Sequence, residues 1–251
     1  VREGDLIFVK TDFIVNGWFS QTVLPLLQNK FSLITGVSSF QLGVAGGDIY
    51  KTLLNSPQLN HWITTNPPPV DHPKIIPLPI GFQEPDRAGG NQEFLRGVQE
   101  ARIDFSSKKT ELFLPYHNPD TNATRAALVK QLSSLPFVRV QTSPQPLDEY
   151  YKSLDQSKFI IGLEGSGPDI HRNYETMLVG SIPVNIKNVI TKVFDYHNGE
   201  GVFLNNWQEL NEGFIEKISS KDYNTAHNDS FLNLPSLTNN ISNILSHGRS
   251  N

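Results

Sequence analysis

One stretch, Lys158 to Ile186, constrains what this chain can fold into more than any other. Phe159, Ile160, Ile161 and Leu163 form a short apolar run of the kind found in strands covered on both faces. Gly165-Ser166-Gly167-Pro168-Asp169 then breaks the strand and supplies the chemistry of a helix start, with Asp169 as the expected N-cap. A helix follows, Gly180 closes it, and Ser181-Ile182-Pro183-Val184 opens the next apolar strand. A strand, a tight turn, a helix and a second strand in so short a span make a parallel unit, because an antiparallel pair needs no helix between its strands. Gly162 interrupts the apolar run where another backbone could approach closely.

The turn and the helix start carry chemistry of their own. Free N–H groups at a helix start favour an anion, and Arg172 adds a planar fork of donors that matches phosphate oxygens. Glu175, three residues on, projects from the same face and could accept hydrogen bonds from a ribose. Ser166 and Gly167 lie in the turn that would wrap such a ligand, and His171 could steady a leaving phosphate. For Arg172 and His171 the plain alternative is an exposed helix side chain, and Glu175 stands or falls with Arg172.

Strand and helix signals alternate along the rest of the chain. In the second half, strands are expected at 111–114, 137–141, 158–163, 182–186 and 201–204, with helices at 122–133, 147–154, 170–179 and 207–218. This alternation predicts an α/β fold with a parallel, doubly wound sheet. The first half reads as strands at 5–9, 31–35 and 61–64, helices at 18–27 and 48–54, and an extended or edge segment at 75–82 punctuated by Pro77 and Pro79. Two lobes result, residues 1–105 and 106–233. The polar stretch 83–110, with a helix near 91–101, connects them, and a tail helix over 234–247 is expected to cross back to the first lobe.

Composition excludes several classes. The absence of cysteine rules out disulfides, thiolate metal sites and a cysteine nucleophile, and it leans toward a reducing, cytoplasmic setting. A net charge of −4 gives no broad basic face for nucleic acid, and no apolar stretch approaches membrane-spanning length. The seven histidines are scattered, with no H-E-x-x-H pair and no D-x-D triplet, so no metal site and no obligatory cofactor are expected, although a divalent-ion requirement stays open. No phosphate-binding G-x-x-x-x-G-K loop and no G-x-S-x-G elbow occurs, and the glycine turn lacks the full dinucleotide fingerprint.

The run G-S-G-P-D-I-H-R-N-Y-E followed by L-V-G-S-I-P-V resembles the donor-binding motif of the exostosin-like glycosyltransferases. Three weaker stretches agree in order: Val9-Lys10-Thr11-Asp12; Asn66 ahead of His72-Pro73-Lys74 and Ile76 to Gly81; and Asn118-Pro119-Asp120-Thr121-Asn122 leading to Arg125. Together they span most of the chain. The chain departs from that family in being compact and free of cysteine, as a microbial or viral member would be.

The resemblance implies a B-type glycosyltransferase fold of two nucleotide-binding-like lobes, with an acceptor glycan on the first and a nucleotide-sugar on the second. It implies transfer of one sugar to a glycan hydroxyl from a UDP-sugar such as UDP-xylose or a UDP-hexose, with GDP as the competing nucleotide. Arg125 becomes a second cation for the diphosphate, with Asn118 and Tyr116 beside it. An inverting transfer needs a single carboxylate base on the acceptor side. Asp12, after the first strand, is the first candidate for that base and Glu164, at the end of the central strand, the second. Trp18 and Tyr116 could stack on sugar rings. The alternatives are a catalytically silent binding module or, less well supported, a phosphate-ester enzyme; a lumenal catalytic domain is the alternative to the cytoplasm.

Overall fold

A computed structural model describes residues 1–233 together with 239, 241 and 242. The tail helix expected over 234–247 falls almost wholly outside the described residues. Nine strands are described: β1 Asp5–Lys10, β2 Phe31–Gly36, β3 Leu59–Thr64, β4 Ile75–Pro77, β5 Lys109–Leu114, β6 Val138–Val140, β7 Ser157–Ile161, β8 Ile182–Ile186 and β9 Val202–Leu204. The α-helices described are α1 Thr11–Val15, α2 Ile49–Leu54, α3 Gln92–Ala101, α4 Arg125–Ser133, α5 Leu147–Asp155, α6 His171–Leu178, α7 Val189–His197, α8 Glu212–Ser219 and α9 Thr225–Leu232. None of the described helices is long and apolar enough to cross a membrane.

The strands form two all-parallel sheets flanked by helices, the α/β architecture that the alternating pattern predicts. The first runs β1-β2-β3-β4 in simple succession; the second runs β6-β5-β7-β8-β9. In the second sheet both faces are buried. Leu112, Leu114, Phe159 and Ile161 pack on one side, and Phe113 and Ile160 pack with Tyr151, Leu154 and Leu178 on the other. Continuous apolar strands are what such burial demands. The first sheet differs. Val9, Phe31, Leu33 and Trp62 turn toward a core shared with Ile14, Phe19 and Leu53, whereas Leu6 and Phe8 on β1 face outward and are about half exposed. The face that carries Phe8 continues in register through Ile34 to Ile63 and Ile76, which are buried, so it is open only toward the β1 edge.

Local chemistry explains most boundaries. Asn91, Asn188 and Asn211 cap α3, α7 and α8 by accepting backbone N–H bonds, and Gly180 ends α6's strand-ward turn at φ +71°. Several expectations are corrected. β7 stops at Ile161, and the predicted helix over 207–218 divides into a short 3-10 turn at Trp207–Glu209 and α8. Helices α1, α7 and α9 stand in addition to the expected ones. In α7 the β-branched Val189, Ile190, Thr191 and Val193 disfavour a helix, yet Ile190, Val193 and Phe194 bury one face against Tyr174, Met177 and Phe231. Tertiary packing overrides propensity there.

Candidate functional site

In the second sheet β5 lies between β6 and β7, so the chain winds one way from β5 to β6 and the other way from β7 onward. The carboxyl ends of β5 and β7 therefore diverge, and such a reversal opens a crevice where open α/β sheets bind ligands. Tyr116, His117 and Asn118 follow β5, and Leu163, Glu164 and Gly165 follow β7. Of the groups singled out in the second half, Tyr116, Asn118, Arg125, Glu164 and Arg172 stand at this crevice.

His117 bolts the two strand ends together. Its Nδ1–H donates to the Pro115 carbonyl at 2.7 Å, and its Nε2 accepts the Leu163 N–H at 3.2 Å. Burial and then the nearby Arg172 charge push its pKa well below the ordinary histidine value, so the ring is neutral, as this pairing requires. Nothing in the sequence distinguished His117 from the other six histidines, because its partners are backbone atoms brought together only by the sheet.

Arg125 opens α4 and is 7% exposed. Its Nε and Nη2 donate to the Glu164 carbonyl at 3.0 and 2.5 Å, Nη2 also to the Leu163 carbonyl at 2.9 Å, and Nη1 to the Asn118 carbonyl at 3.3 Å. The expectation that its fork would grip a diphosphate is corrected: most of its donors shape the turn. Its charge remains. Burial, and next the charge of Arg172, lower its pKa, and among the described residues no carboxylate lies within ion-pair distance of it.

Arg172, in the first turn of α6, has a side chain only 18% exposed. Nη2 donates to the Tyr116 carbonyl at 3.2 Å, and the guanidinium lies 4.7 Å from the centroid of the Tyr150 ring. Nε is 3.5 Å from Glu175 Oε2, beyond good hydrogen-bond length, and neither Nε nor Nη1 has a hydrogen-bond partner. Glu175 is itself 7% exposed and accepts the Tyr150 hydroxyl at 2.5 Å. The expected role of Glu175 as a ribose ligand is therefore corrected: its carboxylate faces inward and orients Arg172. Burial raises the Tyr150 pKa well above the usual phenol value, keeping the hydroxyl protonated as a donor.

Glu164 is the exposed carboxylate of this region, and its Oε1 accepts from the Asn188 side chain at 2.5 Å. Beside it, a recess of about 200 Å³ runs between the ends of β7 and β8, lined among others by Arg125, Gly162, Glu164, Asn185, Asn188 and Trp207. A Cβ at Gly162 would sit 2.5 Å from Asn185 Oδ1 and 2.9 Å from Asn173 Oδ1, so side-chain amides, not a second backbone, require the glycine. Asn118 accepts the Asp120 N–H and caps a 3-10 turn. Asn122 donates to the Gly165 carbonyl.

The glycine turn faces the other lobe. A Cβ on Gly167 would fall 2.3 Å from the Ser39 carbonyl, while Ser166 is exposed. Asp169 is not the N-cap of α6; that position is Ile170, without a side-chain cap. Instead Asp169 latches the lobes: its N–H donates to Asn66 Oδ1 at 3.1 Å, and its Oδ2 accepts the Ile80 N–H at 3.0 Å and the Tyr174 hydroxyl at 2.5 Å. Burial raises its pKa to about 6. His171 donates from Nδ1 to the Gly81 carbonyl at 2.8 Å, a hinge contact rather than the expected phosphate contact. His197 and Lys192 add bonds to the Pro77 carbonyl and Asp71.

Asp12 stands apart from this cluster, in the first turn of α1, with Oδ1 3.5 Å from Lys10 and a side chain 38% exposed. No hydrogen bond or ion pair among the described residues joins it to the second lobe. Phe13 and Trp18, tilted rings 5.3 Å apart and both about half exposed, flank the same end of the first sheet.

No protein-family model and no curated protein matches the chain. Among solved structures, the catalytic domain of starch synthase IV from Arabidopsis thaliana, bound to ADP and acarbose, aligns over 100% of this chain and 74% of its own, at 13% identity and a TM-score of 0.40. The GtfA/B complex aligns over 100% of this chain and 58% of its own, at 10% identity and a TM-score of 0.44. Likeness this distant reaches no further than overall architecture.

Proposed function

We propose that the chain is a B-type glycosyltransferase of the exostosin-like kind, which binds the diphosphate of a nucleotide-sugar at the β5/β7 crevice and transfers its sugar to a glycan hydroxyl. One observation carries this reading. Two guanidinium groups, Arg125 buried and Arg172 half-buried, act on each other at the crevice, and among the described residues the one carboxylate set against them is Glu175, 3.5 Å from Arg172. Buried charge left in that state is costly, and a ligand bearing two or more negative charges offsets it. Both arginines contribute charge, Arg172 through a side chain still 18% exposed and Arg125 while holding the turn.

The nucleoside would occupy the recess beside Glu164, whose exposed carboxylate suits the paired hydroxyls of a ribose. Asn185 and Asn188 would meet the base. UDP is the expected nucleotide and GDP its competitor. As the diphosphate leaves, its charge is met by the two arginines, which need no reorganisation because Tyr116, Tyr150, Glu175 and the turn carbonyls already hold them. Asp12, on the opposite lobe, is the proposed base for an inverting transfer, with the acceptor lying over the Phe13–Trp18 pair.

Calorimetric titration with UDP, GDP, ADP and CDP, each with and without Mn²⁺, tests the site. Selective binding of one nucleotide is expected, weakened about tenfold or more by Arg172→Ala through loss of charge-assisted bonds. Failure to bind any of the four would overturn the reading. Asp12→Asn is expected to abolish transfer while leaving nucleotide affinity unchanged; surviving transfer would place the base elsewhere.

A further inference from the structure

Strand β1 closes one side of the first sheet, pairing with β2 and, among the described residues, with no other strand. Its second edge therefore presents a row of unpaired backbone N–H and C=O groups, a template for another strand. Proteins commonly blunt such an edge with proline, a bulge or charges along the strand. None of these interrupts β1. It keeps unbroken register with β2 from Asp5 to Lys10, and its charges sit only at those two ends, around the apolar run Leu6-Ile7-Phe8-Val9. Leu6 is 49% exposed and Phe8 60%, two residues apart and so on one face, the face that stays open toward this edge.

We infer that β1 pairs with β1 of a second copy of this chain, antiparallel about a two-fold axis through Ile7, so that two four-stranded sheets join into one of eight strands. The inference is independent of the proposed sugar transfer. The strand's own residues select the partner and the register. Directly opposed residues of an antiparallel pair point to the same face, so a symmetric pairing of β1 with itself must be centred on a residue, not between two. Centred on Leu6, it would set Arg2 opposite Lys10 of the second copy, like charge against like, which is destabilising. Centred on Phe8, it would set Leu6 against Lys10 and leave Phe8 on Phe8 as the one apolar contact of the open face. Centred on Ile7, Leu6 meets Phe8 of the second copy twice, and Lys10 falls opposite Gly4, where no side chain competes for its place. Asp5 then lies opposite Val9, which is already buried in its own core.

One strand ladder and four half-exposed side chains make a small contact, below the roughly 1,200 Å² of standard complexes, so a weak, concentration-dependent dimer is expected. In dilute solution Phe8 stays in water, and replacing it costs the monomer little. The groups at the β5/β7 crevice take no part in the interface.

Sedimentation velocity of the whole chain over a rising concentration series reads the dimer, and the absence of cysteine makes its register readable by cross-linking. The wild type is expected to dimerise, at least tenfold more weakly as Phe8→Lys, while the unfolding midpoint of the dilute variant stays at the wild-type value. Leu6→Cys and Phe8→Cys, each alone, are expected to form few disulfides. Mixed under oxidising conditions they should form an intermolecular one, because only unlike variants set their cysteines opposite each other, with Cβ atoms about 5 Å apart. A monomer at every concentration would overturn the inference and show the edge to be covered within the chain. A dimer indifferent to Phe8→Lys, or a mixture that cross-links no better than either variant alone, would overturn it by placing the contact on another surface or in another register. Each of these failures leaves the proposed function standing.

Discussion

The two sheets are built from the same parts, short parallel strands joined through helices, yet only one presents a charged crevice. In the first, the strands follow in order, and the face opposite the Phe31, Leu33 and Trp62 core is exposed at Leu6 and Phe8 on β1 but buried at Ile63 and Ile76. In the second, the order β6-β5-β7-β8-β9 sends successive crossovers to opposite faces, and the strand ends part between β5 and β7. His117, Arg125 and Arg172 occupy that gap, whereas the corresponding end of the first sheet offers aromatic rings and hydroxyls. Winding order, more than composition, decides which end of which sheet becomes the polar site.

That contrast can be broken or sharpened by three substitutions. The largest effect is expected from Arg125→Met, which removes three hydrogen bonds to the turn after β7 and one to the Asn118 carbonyl after β5, at about 1 kcal/mol each, for a loss of roughly 4 kcal/mol in chemical denaturation. Nucleotide binding should go with it. A loss under about 1 kcal/mol would mean that the turn holds its shape unaided and that Arg125 is free to serve a ligand directly.

Asp169→Asn comes next and addresses the seam between the sheets. Its carboxyl is raised by burial to about 6, so the native state takes up a proton more readily than the unfolded chain. The group's contribution to stability is therefore greatest at low pH and declines as pH rises through the window from about 4 to 6, by roughly 3 kcal/mol in all. The difference in unfolding free energy between wild type and Asp169→Asn should carry that slope and be flat above it. A flat difference across the whole window would show that the carboxyl is not held away from water.

The smallest effect is expected on the outer face of the first sheet. Phe8 is 60% exposed there, so Phe8→Ser should change stability by no more than about 0.5 kcal/mol. A cost of several times that would show the β1 edge of this face to be covered as Ile63 and Ile76 are, and erase the difference between the two sheets.

Much of the fold was legible residue by residue. The apolar run at Phe159 to Leu163, the breaker after it, Gly180 at positive φ and the prolines around β4 each act through local sterics and burial, and they lie where the pattern predicts. Less of the site was legible. Arg172 is at the crevice, but Arg125 bonds to carbonyls of residues nearly forty positions away, and Glu175 turns inward to Tyr150 and Arg172. The β-branched residues of α7 favour a strand, and the Asn188 cap together with packing against α6 and α9 makes it a helix.

The sequence by itself determined the α/β class, the parallel pairing and the element that carries the arginine, since periodicity, glycine and proline act over a few residues. Tertiary structure alone decided that β5 and β7 are neighbours, that Asn66 and Asp169 meet across the lobes, and which arginine keeps free donors. A side chain's hydrogen-bond partners are set by which backbone atoms the winding brings within 3 Å, and no local rule of the chain contains that distance.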